Sequence, residues 1–335
     1  FCECVGSYRG PVWKYDINQA YAAAMREASL PSGYAYHSSK VHRHARVYIA
    51  RITATNARNK IPFYYRTFNG NHLHSVFATT EIFDTWLTSI EIEQLRSEGW
   101  QIELSECWYW DDYFSMDEYV NRLEAIRMNC EGGPNGAIGT MIKAVGNHSY
   151  GKTVEQLDNE ELIISKTCPE GFSQFVPKQA DGIIFSHIWA REIEREERSY
   201  HQPQIGAFIT AHVRMVVRRA ALLDPDSWLY ADTDCVMFSS DVTSKLDVDP
   251  LRYGAWKVEA RGEPYRIVAK KVYANGDASI KHAKGMNTKN LSSDDFERWL
   301  AGEVPKQQQV QRVNFVRVMQ GAHMFRNLER RGTAI

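Results

Sequence analysis

Two aspartates separated by one residue, Asp232 and Asp234, stand between short apolar runs, Trp228-Leu229 before them and Val236-Met237-Phe238 after them. The pattern predicts a β-hairpin with Asp-Thr-Asp at its tip. Two carboxylates at such a tip repel each other unless a cation lies nearby, and Mg²⁺ prefers oxygen ligands of this kind. Because Asp and Thr are also common in ordinary surface turns, the hairpin alone leaves a metal site and a plain turn open.

A third carboxylate, Asp16, ends an alternating segment that predicts a strand over residues 12–17. A helix is predicted directly after it, over residues 19–27, with Asn18 as its cap. If this strand lies beside the hairpin, three carboxylates surround one or two metal ions. Enzymes of phosphoryl transfer use two ions about 4 Å apart to clamp the attacking and leaving oxygens. The alternative is that Asp16 only caps its helix.

Three residues share one face of another predicted helix. Lys143, Asn147 and Tyr150 follow at i, i+4 and i+7, so their side chains point the same way. A cation, an amide and an aromatic ring in register suit a nucleoside triphosphate, since lysine neutralises phosphate charge and tyrosine packs on a base or sugar. A lysine at helical spacing is more often part of a solvated face.

Basic residues are concentrated in the last quarter of the chain. Residues 251–335 hold 16 Lys and Arg against 8 Asp and Glu, whereas the first 250 residues hold 24 against 33. This distribution favours a C-terminal quarter that contacts a polyanion and an acidic body that binds metal ions. A chance asymmetry of solvated charges is the alternative. The candidate phosphate-backbone contacts are Lys270, Lys271, Tyr273, Lys281 and Lys284.

The composition is that of a globular protein. Of 335 residues, 44% are hydrophobic and 12% aromatic, enough for a substantial core and two or three subdomains. No apolar run reaches the roughly 18 residues of a membrane span, so no membrane partner is expected. The six cysteines show no CxxC spacing, which favours free thiols in a reducing cytoplasm over disulfides or zinc. Because the chain begins at Phe1, we expect it to be part of a longer protein.

Apolar periodicity predicts an α+β body with strand-helix units on both sides of the hairpin. Strands are predicted at 47–50, at 101–104 and in the stretch up to about 280. Helices are predicted at 89–99, 116–130, 136–152, 190–198 and 205–223, the last with Arg214, Arg218 and Arg219 on its polar face, and a helical, basic tail ends the chain.

Four segments, in this order, resemble the motifs of the family B DNA polymerases, and above all the protein-primed branch of bacteriophages, adenoviruses and linear plasmids. Residues 16–21 (DINQAY) resemble motif A, residues 143–151 (KAVGNHSYG) motif B, residues 230–235 (YADTDC) motif C and residues 271–273 (KVY) the KxY motif. The resemblance covers nearly the whole chain. It implies a right-hand polymerase with a palm of antiparallel sheet and helices, helical fingers and a small basic thumb.

The resemblance also implies a metal site. Asp16 and Asp234 would bridge two Mg²⁺ ions, for which Mn²⁺ can substitute, with the backbone carbonyl of Ile17 as a further ligand. Asp232 would be an auxiliary carboxylate that shapes the site. Cys235 stands where the motif has serine, a small isostere that leaves the chemistry intact.

For the incoming dNTP, the resemblance points to the helix face described above. Lys143 would hold the triphosphate, Asn147 and Tyr150 would line the nascent base pair, and Tyr21 would exclude a ribose 2′-hydroxyl. A glycine stands one helical turn before Lys143, where relatives often carry a second lysine. Arg127 is a candidate for that missing charge.

On the primer side, Lys271 and Tyr273 would position the primer terminus. The partners implied are primer-template DNA, dNTPs and a terminal protein that primes synthesis. No Asp-x-Glu pair precedes Asp16, so we expect neither an exonuclease module nor proofreading in this stretch. If the chain is viral, the host cytoplasm is the expected location.

The resemblance divides the chain into palm at 1–115 and 200–275, fingers at 116–152 and thumb at 276–335, with possible insertions at about 45–110 and 153–199. The expected function is template-directed DNA synthesis by two-metal nucleotidyl transfer. Two alternatives remain. One is a palm-fold module that binds DNA without catalysis, and the other is a metal-dependent nuclease built from the same carboxylates.

Overall fold

The fold is taken from a computed structural model, which describes residues 2–4, 6–41, 44–69, 72–155, 160–175, 187–192, 200–312 and 325–331. None of the helices in these ranges is long and apolar enough to cross a membrane.

The body of the protein is a seven-stranded antiparallel sheet, which we call the central sheet. Its strands are β1 (Cys2–Cys4), β2 (Tyr8–Ile17), β14 (Trp228–Asp232), β15 (Cys235–Phe238), β16 (Trp256–Ala269), β17 (Val272–Asn275) and β18 (Lys281–Ala283). They follow the order β1-β14-β15-β2-β16-β17-β18. The predicted strand at 12–17 and the predicted hairpin at 228–238 are confirmed, and they are neighbours.

Strand β2 is buried on both faces, which fits its position inside the sheet. Tyr15 and Ile17 point into one core cluster, and Val12 points into a second cluster on the opposite face. Strands with both faces covered carry apolar residues on each side. The carboxyl end of β2 therefore has a fixed position beside the hairpin tip.

Two helices cover the face that contains Tyr15, namely α1 (Ala20–Glu27) and α5 (Pro203–Ala221). Small residues line α1, and its Ala22 and Ala24 are fully buried, which allows close helix packing. The predicted cap of α1 is wrong. Gln19 precedes the helix in a left-handed conformation (φ 50°), while the Asn18 amide donates to the carbonyl of Asp249 at 2.7 Å.

A second, four-stranded sheet has the order β4-β9-β5-β8. Its strands are β4 (Tyr36–Ser38), β5 (Val47–Thr55), β8 (Glu81–Thr88) and β9 (Gln101–Trp110), next to α2 (Ser89–Ser97) and the hairpin of β6 (Phe63–Asn69) and β7 (His72–Ala78). Strand β3 (Leu30–Ser32) pairs with β10 (Asp112–Phe114). The predicted strands at 47–50 and 101–104 and the helix at 89–99 are confirmed.

Helix α5 carries a polar face, as predicted, on which Arg219 is exposed but Arg218 is buried. The Arg218 guanidinium is 5% exposed and lies 2.6 Å from the Glu98 carboxylate in the residue that follows α2. It also donates to the carbonyls of Ile61 and Pro62. Arg218 therefore joins the central sheet's helix layer to the second sheet.

Two further helices, α3 (Asp117–Asn129) and α4 (Ala137–Thr153), pack on each other and on α1. They confirm the helices predicted at 116–130 and 136–152. A small sheet follows, with β11 (Glu160–Ile164), β12 (Ser173–Gln174) and β13 (Ile188–Glu192). The helix predicted at 190–198 is wrong where it begins, because residues 190–192 pair as a strand with β11. Its residues 193–198 lie outside the described ranges.

The helical tail predicted for the C-terminus is confirmed in one short helix and is wrong after it. Helix α6 (Ser293–Leu300) ends before Gly302, which has a left-handed φ of 94°, and Pro305 prevents its continuation. Strands β19 (Lys306–Arg312) and β20 (Phe325–Arg331) then pair antiparallel. Their pairing partners are distant in sequence, so local periodicity did not indicate them.

Candidate active site

Asp16 and Asp234 are brought together by strand pairing. Cys235 lies opposite Asp16 in the register of β15 with β2. The Ile17 N–H donates to the carbonyl oxygen of Asp234 at 2.9 Å, and Thr233 makes the tight turn with a left-handed φ of 57°. The hairpin tip is thus fixed against the end of β2.

Burial raises the pKa of both carboxylates. Burial raises the pKa of Asp234 to about 6, with a further contribution from the negative charge of Asp16. Burial likewise raises the pKa of Asp16, although the Lys257 ammonium opposes this shift. Like charges held together in a half-buried site favour the binding of a cation.

Asp232 is two residues from Asp234 but has a different environment. Both of its carboxylate oxygens lie 2.7 Å from the Lys271 Nζ. The Tyr230 hydroxyl donates to Asp232 at 3.2 Å and accepts the Lys271 backbone N–H at 3.2 Å. Both carboxylate oxygens of Asp232 are therefore paired with Lys271, the residue predicted to position the primer terminus.

Asp16 and Asp234 line a cavity of about 560 Å³, which we call the carboxylate cavity. It lies between the end of β2, the hairpin tip and helix α4. The predicted residues in its lining are Asp16, Ile17, Tyr21, Arg127, Lys143, Asn147, Tyr150 and Asp234. Asp232, Lys270, Lys271, Tyr273, Lys281 and Lys284 are not among its lining residues.

Arg127 is 7% exposed, and its Nε donates to the Pro134 carbonyl at 3.2 Å. Its guanidinium lies over the ring of Tyr253 at 5.6 Å, a cation–π contact. This arrangement fixes a positive charge in the cavity wall opposite the carboxylates.

Tyr21 and Tyr150 form the partition between two cavities. Their rings are parallel within 2° and their centroids are 4.6 Å apart. Both residues also line a second cavity of about 580 Å³, which we call the aromatic cavity. The other side chains in its wall include Tyr64, Arg66, Trp86, Glu91, Thr210, Val213, Arg214 and Thr233.

Arg214 is the fixed cation of the aromatic cavity. Its guanidinium donates to Oε1 of Glu91 at 2.7 Å. The other oxygen of Glu91, Oε2, accepts the backbone N–H and hydroxyl of Thr88 at the start of α2. Glu91 is buried, so it orients Arg214 from a rigid position.

The predicted DNA contacts lie on or next to strands β17 and β18 of the central sheet. Lys271 occupies the turn before β17 (φ 60°) and Tyr273 is buried, so the two do not share an exposed strand face. The Lys270 ammonium lies 3.5 Å from the ring centre of Phe77. Lys281 donates to the Leu291 carbonyl at 2.6 Å, and Lys284 is exposed.

The sequence profile of the family "DNA polymerase type B, organellar and viral" matches residues 1–180. The chain belongs to this family. Membership confirms the family B resemblance of the motifs.

Relatives and solved structures agree with the family. The chain is 22% identical to a probable DNA polymerase of Ascobolus immersus over 82% of its length, and 25% identical to the DNA polymerase of Streptococcus phage Cp-1 over 77%. It is 32% identical to the DNA-directed DNA polymerase of Enterobacteria phage PRD1 over 42%. These matches span 23%, 45% and 25% of the respective relatives, so the chain covers less than half of each.

The fold is that of phi29 DNA polymerase. The structure of that enzyme with primer-template DNA and incoming nucleotides superposes on 99% of this chain with a TM-score of 0.68 and 16% identity. The chain corresponds to 60% of that structure. The binary complex of the same enzyme with primer-template DNA gives a TM-score of 0.63 at 19% identity.

Several residues that line the two cavities were not predicted as site residues, among them Lys257, Glu91 and Arg214. Lys257 lies on β16, directly opposite Asp16 in the strand register, and its Nζ is 3.2 Å from the Asp16 Oδ1. The sequence predicts a strand there but does not say which strand it pairs with. Glu91 and Arg214 are 123 residues apart, and no local pattern connects them.

The donor set of the carboxylate cavity fits a hard divalent cation. Within the described ranges, no group of three or more His, Cys, Asp or Glu side chains is placed to hold a metal ion. Two carboxylates and a backbone carbonyl are nevertheless oxygen ligands of the type that Mg²⁺ binds, usually together with waters and substrate phosphates. A metal ion held here would also bind the phosphates of a triphosphate. The neighbouring cations Lys143 and Arg127 suit such a ligand, because they would neutralise its negative charge.

Proposed function

We propose that this chain is the polymerising part of a template-directed DNA polymerase. The observation that carries the proposal is the carboxylate cavity, where Asp16 and Asp234 face Lys143, Asn147 and Tyr150 of helix α4. Carboxylates on one side and a cation, an amide and an aromatic ring on the other suit a metal-bound nucleoside triphosphate.

Asp16, Asp234 and the carbonyl of Ile17 would hold two Mg²⁺ ions. When bound, these ions supply Lewis-acid activation of the α-phosphate and of the attacking 3′-hydroxyl. Lys143 and Arg127 neutralise the triphosphate and stabilise the departing pyrophosphate. Asn147 donates hydrogen bonds beside the nascent base pair.

The stacked rings of Tyr21 and Tyr150 orient the sugar and base of the incoming nucleotide. The Tyr21 ring stands at the boundary of the carboxylate cavity, and we assign to it the exclusion of a ribose 2′-hydroxyl. The aromatic cavity beyond it carries Arg66, Arg214 and Trp86, a combination that suits a nucleic-acid strand with stacked bases and a phosphate backbone. We assign the template strand to that cavity.

We also propose the division into domains that the motifs suggest. The central sheet apart from β18, together with α1 and α5, is the palm (1–115 and 200–275), and α3 and α4 are the fingers (116–152). The segment from 276 is the thumb, and the second sheet at about 45–110 is an insertion in the palm. A terminal protein is a candidate partner, because its hydroxyl can replace the primer's 3′-hydroxyl in the same reaction.

The test is primer extension on a defined primer-template, with one dNTP supplied at a time. We expect Mg²⁺-dependent addition of only the complementary nucleotide, and complete loss of addition in excess chelator. Synthesis that is insensitive to the chelator, or addition that ignores the template base, contradicts the proposal. Shortening of the DNA without any dNTP would instead identify a nuclease, and DNA binding with no reaction would identify a non-catalytic module.

A further inference from the structure

Lys257 is shared between two carboxylates at the edge of the carboxylate cavity. Its Nζ lies 3.2 Å from Oδ1 of Asp16 and 2.9 Å from Oε1 of Glu259. The residue is a cross-strand neighbour of Asp16 in the pairing of β16 with β2. One ammonium group therefore contacts both a candidate metal ligand and a second acceptor.

Glu259 is held in place independently of Lys257. Its other oxygen, Oε2, lies 2.7 Å from the Nζ of Lys14, whose side chain is only 10% exposed. A buried ammonium on the same strand as Asp16 has little freedom to move, so it anchors Glu259. Glu259 can accept the whole Lys257 charge without leaving its position.

Lys271, which also lies near the hairpin, is paired with one carboxylate instead of being shared between two. Lys271 contacts both oxygens of Asp232 at 2.7 Å and its backbone is fixed to Tyr230. A positive charge next to Asp16 repels an entering divalent cation, whereas the same charge on Glu259 lies farther from Asp16 and is already neutralised. Lysine is suited to such a movement because its charge is compact and its four-carbon stem is flexible.

We propose that Lys257 is a positioning residue that controls metal occupancy. Its ammonium neutralises Asp16 while no divalent cation is bound, and it moves fully onto Glu259 when one enters. The inference rests on the proposed function, because it takes Asp16 and Asp234 as the metal ligands.

The experiment is a Mn²⁺ titration of the full chain without DNA or nucleotide, with free Mn²⁺ measured by electron paramagnetic resonance. Lys257→Met removes the charge and keeps the stem, so we expect its Mn²⁺ affinity to be about tenfold higher than that of the wild type. Lys257→Arg keeps the charge and should bind Mn²⁺ like the wild type. Lys245→Met, which removes a lysine that does not line the cavity, is the matched control and should also bind normally.

A second readout is thermal unfolding. In excess chelator Lys257→Met should unfold at a lower temperature than the wild type, because Asp16 loses its counter-charge, and added Mn²⁺ should raise its unfolding temperature by more than it raises that of the wild type. If Lys257→Met does not fold, Lys257→Gln serves instead, since its amide still donates to both carboxylates without a charge.

An affinity for Mn²⁺ that is unchanged or lower in the uncharged variant, while Asp234→Asn abolishes binding, overturns the inference and leaves the proposed function intact. If the wild type and Asp234→Asn bind Mn²⁺ equally, or neither binds it, the metal assignment itself is wrong. The two failures are therefore distinguishable.

Discussion

The two cavities share a wall of two tyrosines but have opposite chemistry. The carboxylate cavity concentrates charge at the strand ends, with Asp16 and Asp234 facing Lys143 and Arg127. The aromatic cavity has Tyr64, Trp86 and two oriented guanidinium groups, those of Arg66 and Arg214. The first suits phosphate and metal ions, and the second suits bases and a single backbone. In the proposed function, the stacked rings of Tyr21 and Tyr150 separate the site of reaction from the site of template reading.

The cavities also differ in how they are built. The carboxylate cavity is formed by strand ends of the central sheet and by helix α4, which packs on α1, α3 and α5. The aromatic cavity lies between α5 and the second sheet, and buried ion pairs hold these two bodies together. The geometry of the carboxylate cavity therefore depends on strand register, whereas that of the aromatic cavity depends on the ion pairs of Arg214 and Arg218.

The largest effect is expected from Arg218→Met, which breaks the buried pair with Glu98. Because the Glu98 carboxylate is then left buried without its partner, the free energy of unfolding should fall by about 3–5 kcal/mol. Arg51→Met, which breaks an exposed pair with Asp84, is the control and should change stability little. Denaturant unfolding measures both. Equal effects of the two variants would show that the buried pair does not hold the second sheet in place.

Lys143→Met should lower kcat/KM for dNTP about 100-fold, because the ammonium group that would neutralise the triphosphate is lost. The affinity for primer-template should stay unchanged. Lys152→Met, on the same helix but paired with Glu155, is the matched control. Single-nucleotide incorporation kinetics and a DNA-binding titration separate the two quantities. A loss of DNA affinity with unchanged dNTP kinetics would indicate that the carboxylate cavity binds the DNA and the aromatic cavity the dNTP.

Tyr21→Val should raise the incorporation of ribonucleotides relative to deoxyribonucleotides at least about tenfold, because it opens the wall beside the sugar. Tyr150→Phe keeps the stacked pair and should retain the discrimination of the wild type. Competing the two nucleotide types on one template measures the ratio. Unchanged discrimination in Tyr21→Val would mean that the partition does not contact the sugar.

The smallest effect on DNA synthesis is expected from Arg214→Met in the aromatic cavity, measured at a temperature at which the variant is folded, because the substitution also leaves the Glu91 carboxylate buried without its partner. Loss of one phosphate contact should weaken primer-template binding about fivefold and reduce the salt dependence of binding by about one counterion. The KM for dNTP should not change, in contrast to Lys143→Met. Fluorescence anisotropy at several salt concentrations is the measurement, with Arg51→Met as the control. A change confined to dNTP kinetics would place the template elsewhere.

Sequence patterns predicted those parts of the site that depend on local order. The strand before Asp16, the hairpin around Thr233 and the helix of Lys143 all have local signatures, and they are present. The environment of Asp232 could not be predicted, because its closed pair with Lys271 depends on a turn conformation and on β17 folding back beside the hairpin. Lys257 was missed for a similar reason, since its contact with Asp16 depends on which strand lies next to β2.

The aromatic cavity was not predicted at all. Its walls come from segments that are distant in the sequence: β6, β8 with the start of α2, and α5, together with Tyr21, Tyr150 and Thr233. Apolar periodicity correctly indicated an α+β protein, but it gave no information about how the second sheet contacts α5. The C-terminal strand pair was missed because the predicted helical tail was continued past Gly302 and Pro305, where helix α6 has already ended.

The most direct test is single-turnover primer extension by the wild type, Asp16→Asn and Asp234→Asn, with Asp226→Asn as a control outside both cavities. Asparagine keeps the shape and removes the charge, so each cavity variant should fold normally and lose at least about 1,000-fold in the rate of nucleotide addition. Asp226→Asn should extend the primer at the rate of the wild type. Extension by folded Asp234→Asn at the rate of the wild type in Mg²⁺ would contradict the assignment of the carboxylate cavity as the site of nucleotidyl transfer.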